Sequence, residues 1–294
     1  TSNGISGSMD SASIRLSLRV DGNGFSYQDV AASKSLSELK PEKFGEQTSS
    51  MLNKVQRFGK VHSGTYDVVY SPAPASNLLQ NITEMALISS VETGGFLSNK
   101  LGKEIASTEL SIYDDGINDS YIDSSPFDDE GYPTQKTPVI DKGVLKNYLH
   151  NWSTAKKYNT KSTGNAGLID PTTNTLVLSY KSKAGDEDSL IREMKRGLLI
   201  TGTWYTRFDN EENGDFSTVP RNLAIYVENG EPQFAIRQLD VRSIVGIRIH
   251  DNMLRMIRNI EAVSSKPKQA SSWDAPDYSI MPDILVKGVK VTTA

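Results

Sequence analysis

The chain has 294 residues, with 32 basic against 36 acidic side chains and no cysteine. At ~100–200 residues per domain this is one large or two ordinary domains, with enough length to bury a sizeable core. A net charge of −4 argues against a broad nucleic-acid footprint, and the lack of cysteine excludes disulfides, thiolate zinc sites, Fe–S clusters and a cysteine nucleophile.

Ile14, Leu16, Leu18 and Val20 alternate with polar residues, which predicts a half-buried strand. Asp21-Gly22-Asn23-Gly24 then turns the chain into a return strand from Phe25. Residues 41–58 predict a helix with Pro41 in its first turn and Phe44, Met51, Leu52, Val55 and Phe58 as its apolar stripe. Residues 66–70 predict a strand closed by Pro72 and Pro74. Residues 76–91 predict a second helix, with Leu78, Leu79, Ile82, Met85, Ala86 and Ile88 near one face. Beyond residue 110 come hairpins at 139–145 and 224–230, and strands at 175–180, 198–204, 234–239 and 284–291. Short helices are expected at 153–158, 189–195 and 251–261. Strand-rich texture with few, segregated helices predicts an α+β fold built predominantly on antiparallel sheet.

The chemistry visible in the side chains is sparse. His62, His150 and His250 are about a hundred residues apart and have no local metal-ligand spacing. There is no Gly-x-Ser-x-Gly elbow, and Gly22-Asn23-Gly24 lacks the third glycine of a phosphate loop. Asp114, Asp115, Asp119, Asp123, Asp128, Asp129 and Glu130 fall within 17 positions without the alternation of a Ca²⁺ loop. They read as a solvated acidic loop; a glycosidase-like carboxylate pair is the competing reading. No run reaches the ~20 apolar residues of a membrane helix and no signal-peptide core opens the chain, so a cytoplasmic location is expected. The start, Thr1-Ser2-Asn3-Gly4-Ile5 without Met, reads like the interior of a longer protein.

Four segments in order carry a family resemblance. They are Phe127-Asp128-Asp129-Glu130-Gly131-Tyr132-Pro133-Thr134, the stretch 139–149, Lys161-Ser162-Thr163-Gly164-Asn165-Ala166-Gly167, and Gly214-Asp215-Phe216-Ser217. Together they resemble the TldD/PmbA family, also called modulators of DNA gyrase and classed as U62 peptidases. Within it they look like the PmbA/TldE branch. The resemblance runs from about residue 11 to 291. It implies that 1–64 is a remnant of the family's N-terminal and middle region (hairpin plus helix) and that 65–294 is the C-terminal β-rich domain.

The resemblance also implies a two-subunit zinc peptidase. Its TldD subunit holds zinc through His-Glu-x-x-x-His on a helix and a cysteine near the C-terminus. On this chain the corresponding helix positions carry Gln80, Asn81 and Met85, and the cysteine's region falls at 267–275. Neutral amides and a thioether are poor zinc ligands. No catalytic, cofactor-binding or metal-binding residue is therefore expected in this chain, and zinc is expected only in a TldD-like partner. Phe127, Asp129, Glu130, Gly131, Gly164, Asn165, Asp215 and Phe216 are candidates for lining a shared substrate cavity or a subunit contact, the alternative being ordinary turns with Phe127 and Tyr132 as core anchors.

The favoured expectation is a catalytically silent subunit, paired with a zinc-bearing relative or with a second copy of itself, acting on unstructured peptides held as an added strand. The alternatives are a stand-alone metallopeptidase with an unrecognised metal site, and a peptide-binding scaffold without a protease partner. Neither nucleic acid nor membrane is an expected partner.

Overall fold

A computed structural model describes residues 4, 6–22, 25–237, 239, 240, 243, 244, 246–272 and 276–293. The tip Asn23-Gly24 of the first hairpin, most of the opening Thr1-Ser2-Asn3-Gly4-Ile5 and residues 273–275 lie outside the described residues.

The chain begins with an antiparallel hairpin, β1 (Ile14–Gly22) and β2 (Phe25–Ser33). Helices α1 (Leu36–Leu39) and α2 (Pro41–Met51), a 3-10 turn (Leu52–Lys54) and β3 (Phe58–Gly59) follow. Next are β4 (Gly64–Tyr70), α3 (Pro72–Met85), α4 (Ile88–Glu92), β5 (Leu110–Asp115), β6 (Lys136–Asp141) and β7 (Val144–Leu145). Then come α5 (Trp152–Lys157), β8 (Thr175–Tyr180), α6 (Glu187–Arg192), β9 (Arg196–Ile200), β10 (Thr203–Asn210), β11 (Asp215–Pro220), β12 (Ala224–Glu228) and β13 (Glu231–Ile236). The chain closes with β14 (Leu239–Asp240), β15 (Ser243–Ile244), β16 (Ile247–Asn252), α7 (Met253–Arg258), β17 (Ile260–Val263), β18 (Lys268–Ala270), β19 (Ser279–Met281) and β20 (Ile284–Thr293).

Among the described residues two large sheets form. One runs β10-β11-β16-β20-β4-β9-β12-β13-β3, with β17 also on β20; the other runs β18-β19-β8-β5-β6-β7. Pairing within both is antiparallel except at β4–β9, β13–β3 and β19–β8. This is the expected α+β class.

Alternation within the first sheet explains its position. Tyr66, Val68 and Tyr70 of β4 and Leu198 of β9 join the core shared with α3 and the second sheet. Their neighbours Val69 and Leu199 face the opposite way, onto Phe25, Tyr27, Met51 and Leu190. Helix α3 therefore lies between sheets, packed on β4 and β10 on one side and on β18 and β19 on the other. A helix enclosed like this has most of its side chains buried, polar ones included.

Several expected boundaries move, each for a non-local reason. The helix expected at 41–58 stops at Met51, because Val55 is extended and Phe58–Gly59 pairs in parallel with Ala235 and Ile236. The helix expected at 76–91 starts earlier, with Pro72 and Pro74 in its first turn, where a missing N–H costs nothing. It breaks at Leu87, whose extended backbone pairs with Leu149 through Leu149 N to Ala86 O (2.8 Å) and Ile88 N to Leu149 O (3.1 Å). The segment expected as one strand at 198–204 is two strands, and 251–261 divides into α7 and β17. Strand 175–180 and the two hairpins stand where the sequence places them. Lys142-Gly143 and Asn229-Gly230 turn those hairpins with positive φ. At Gly143 a Cβ would also lie 2.4 Å from Ala106 O.

Candidate functional site

Two groups of sequence-singled residues are held in different surroundings. The first is on α3. Gln80 is buried, and its Nε2 donates to Asp277 O (2.7 Å), Ser279 Oγ (3.0 Å) and Ser76 Oγ (3.3 Å). The hydroxyl of Ser76 is also 3.3 Å from Ala270 O. Gln80 therefore meets the flank of the 267–275 stretch, where the resemblance places the family's cysteine. In that stretch Ser271 is buried with an Oγ that has no partner among the described residues, and residues 273–275 lie outside them. Asn81 turns its Nδ2 back to Asn77 O (2.9 Å) and Leu78 O (3.2 Å) of its own helix. Met85 packs against the core, close to Gly95.

A zinc ion does not fit this set of donors. Gln80 and Asn81 offer only neutral amide oxygens, Met85 offers a thioether, and none of the three supplies the imidazole or carboxylate that a hydrolytic zinc requires. Among the described residues no group of three or more His, Asp or Glu side chains could hold a metal ion. The histidines stay apart: His62 is exposed on a loop, His150 is buried at the start of α5, and His250 lies on β16 with Nδ1 3.7 Å from Asp209.

The second group sits on the loops around the second sheet. The segment 127–134 is a turn closed by Asp128 N to Tyr132 O (2.9 Å) and Gly131 N to Asp128 O (2.9 Å), with Gly131 at φ 77°. Phe127 and Tyr132 are half-buried rather than core anchors, and Asp129 and Glu130 are exposed. This turn is bound to 161–167: Asp128 Oδ2 accepts from Ala166 N (3.0 Å), and Asp129 N donates to Ala166 O (3.1 Å). Glu130 Oε2 accepts from Trp152 N (2.8 Å). Gly164, at φ 71°, is pressed so close to the first turn that a Cβ would lie 2.6 Å from Pro133 O. The two motif turns thus form one unit.

Beneath it lies Asp114, fully buried. Its Oδ1 accepts from Asn174 N (2.7 Å), and its Oδ2 accepts from Asn165 Nδ2 (2.7 Å) and Asn174 Nδ2 (2.9 Å). Burial nevertheless outweighs these donors and pushes the carboxyl up to about 6. Asp115 is buried too, with Oδ2 3.3 Å from Lys136 Nζ. The acidic run is therefore not a uniformly solvated loop. The signal was present in the sequence: Leu110, Ile112 and Asp114 share one phase of β5, and all three are completely buried.

The unit ends in a feature that charge and motif patterns alone do not flag. Gly167 N donates to Asp170 O (3.0 Å), and at the tip between them Leu168 is 92% and Ile169 83% exposed. The remaining motif is elsewhere. Gly214, at φ 80°, lies against Phe96; Asp215 accepts from Asn252 Nδ2 (2.9 Å); and Phe216 is buried in the core.

Two mixed sheets enclose a helix that buries apolar and polar side chains alike, and the motif turns are fastened together on the loops around the second sheet. Residues 63–293 match the PmbA/TldA metallopeptidase C-terminal domain, and the chain belongs to that family. It is 32% identical over 166 residues to the metalloprotease PmbA homolog of Haemophilus influenzae, which covers 56% of this chain and 35% of that protein. It is 33% identical over 145 residues to the metalloprotease TldD homolog of Buchnera aphidicola subsp. Acyrthosiphon pisum, covering 46% and 29%. The chain therefore spans well under half the length of these curated relatives. A Thermotoga maritima protein assigned as a modulator of a DNA gyrase has the same fold. Its TM-score is 0.79 at 27% identity, over 95% of this chain and 61% of that one.

Proposed function

We propose that this chain is a catalytically silent, PmbA/TldE-like subunit that joins a zinc-bearing TldD-like partner in cleaving unstructured peptides. Identity does not choose the branch, since PmbA-named and TldD-named relatives match about equally well. The observation that carries the reading is α3. Where a hydrolytic zinc needs imidazole and carboxylate donors and a metal-bound water, Gln80, Asn81 and Met85 are two hydrogen-bonded amides and a packed thioether. The helix keeps its place between the sheets as a structural member.

A partner-dependent role is supported by the loop platform. Leu168 and Ile169 stand almost fully exposed on a hairpin tip whose base is fixed by the Asp114–Asn165–Asn174 network. Adjacent large aliphatic side chains held out by a rigid base suit insertion into another subunit. An obligate pair of this kind buries on the order of 2,000 Å² or more. The test mixes the purified chain with its zinc-bearing relative and follows hydrolysis of a disordered peptide. Cleavage should require both proteins; equal cleavage by the relative alone would refute the subunit role.

A further inference from the structure

Residues 136–161 carry six lysines against one carboxylate, Asp141, in a chain whose net charge is −4. The fold gathers part of that excess along a cleft of about 830 Å³ bordered by α4, β6, the segment after β7 and residues 160–163. This volume is near the top of the ~300–1,000 Å³ range of ligand sites, too large for a single small ion.

Lys146 and Lys161 line the cleft, both exposed and neither in an ion pair among the described residues. Lys136 also lines it, shared with Asp115 and placed 4.7 Å from the centre of the Tyr113 ring. The one carboxylate on the wall, Glu92, is already matched by Lys157 Nζ (2.7 Å) and Tyr158 OH (2.8 Å). His150, also on the lining, is 6% exposed; its Nδ1 lies 3.3 Å from Thr154 Oγ1, and its Nε2 has no hydrogen-bond partner among the described residues. A largely buried imidazole that lines the cleft with one ring nitrogen unbonded leaves a polar atom that a ligand's carboxylate can engage. Neither arginine nor glycine lines the cleft, so it lacks the planar fork and the backbone cradle of phosphate sites. Ammonium groups on flexible stems instead accept carboxylates arriving at varied positions.

We propose that this cleft binds a carboxylate-rich stretch of an unstructured peptide, held by Lys146 and Lys161 and by the open nitrogen of His150. The proposal rests on the peptide-handling role proposed above and adds a substrate preference to it. It is tested on the chain alone, so it can fail or succeed independently of any partner-dependent cleavage.

The probe is a fluorescent glycine–glutamate copolymer peptide, followed by anisotropy at low and at physiological ionic strength, against a glycine–glutamine control. The acidic peptide should bind more tightly than the neutral one and weaken with salt. Lys146→Ala and Lys161→Ala should each weaken binding about two- to fivefold, the size expected for exposed ion pairs, with unchanged melting temperature. His150→Gln, which keeps a side-chain donor, should lose less affinity than His150→Ala. Equal binding of the two peptides would overturn the proposal. So would unchanged affinity in the double lysine variant, or inorganic phosphate displacing the acidic peptide where acetate at equal ionic strength does not.

Discussion

Helix α3 and the loop platform use buried polar groups in opposite ways. On α3 the buried polar side chains are neutral: Gln80, Asn77 and Ser76 bond to one another's surroundings and to Thr203, Ser279 and Asp277 O. Under the platform the fold keeps a carboxyl, Asp114, with three N–H donors aimed at it, and uses it to hold loops that end in exposed apolar residues. The helix is where the resemblance to the family places a zinc site, and its buried polar side chains are hydrogen-bonded within the fold. The platform instead holds features that face outward, the exposed Leu168 and Ile169. Neutral amides that find hydrogen-bond partners can be buried at little net cost, whereas a buried carboxylate needs several donors to offset its desolvation.

The comparison breaks first at Asp114. Asp114→Ala removes the acceptor of three N–H donors, one buried and two half-buried, and should cost about 3 kcal/mol in urea unfolding at neutral pH. A loss below about 1 kcal/mol would mean that the network does not organise the platform.

The next effect is on pH dependence. Burial pushes Asp114 and Asp283 both up to about 6. Aspartate in an unfolded chain titrates near ~3.9, so between about pH 4 and 6 the folded state holds more protons than the unfolded one. Stability from these two groups is therefore full below that window and is lost as pH rises through it, by up to about 2–3 kcal/mol per group. Urea midpoints should rise on acidification from pH 7 to pH 5; a flat or falling profile would contradict the assignment.

A smaller loss is expected from Gly164→Ala. The added Cβ meets Pro133 O and Thr134 Cα at a φ of 71°, so about 2 kcal/mol should be lost. Gly45 on α2, with open space around it, should tolerate the same change or gain from it. The smallest effect on folding belongs to Leu168→Ser combined with Ile169→Ser, within about 0.5 kcal/mol. That variant sharpens the contrast, because stability should hold while association with the zinc-bearing relative, read by analytical ultracentrifugation, falls at least tenfold.

How much of this was legible in the sequence depended on how local the cause was. Period-two alternation and Asn-Gly or Lys-Gly turns are local, and strand 175–180 and both hairpins stand where the pattern puts them. Helix ends set by distant partners were not legible: nothing near Leu87 announces Leu149, and nothing near Phe58 announces Ala235. Gln80, Asn81 and Met85 share one helix, but the partners of Gln80 at 277 and 279 come from nearly two hundred residues away. Charge counting misled at Asp114, where the strand's alternation with Leu110 and Ile112 was the better guide. The Leu168-Ile169 tip was visible as two aliphatic residues between Gly167 and Asp170-Pro171, a composition that turn chemistry does not require.

The central claim is that this chain does not itself hold a hydrolytic zinc ion. Metal analysis of the purified chain after dialysis against zinc and removal of loosely bound ion tests it directly. The expected result is far less than one zinc per chain, unchanged in Gln80→Ala. One tightly held zinc per chain, lost when Gln80 or Met85 is replaced, would contradict it.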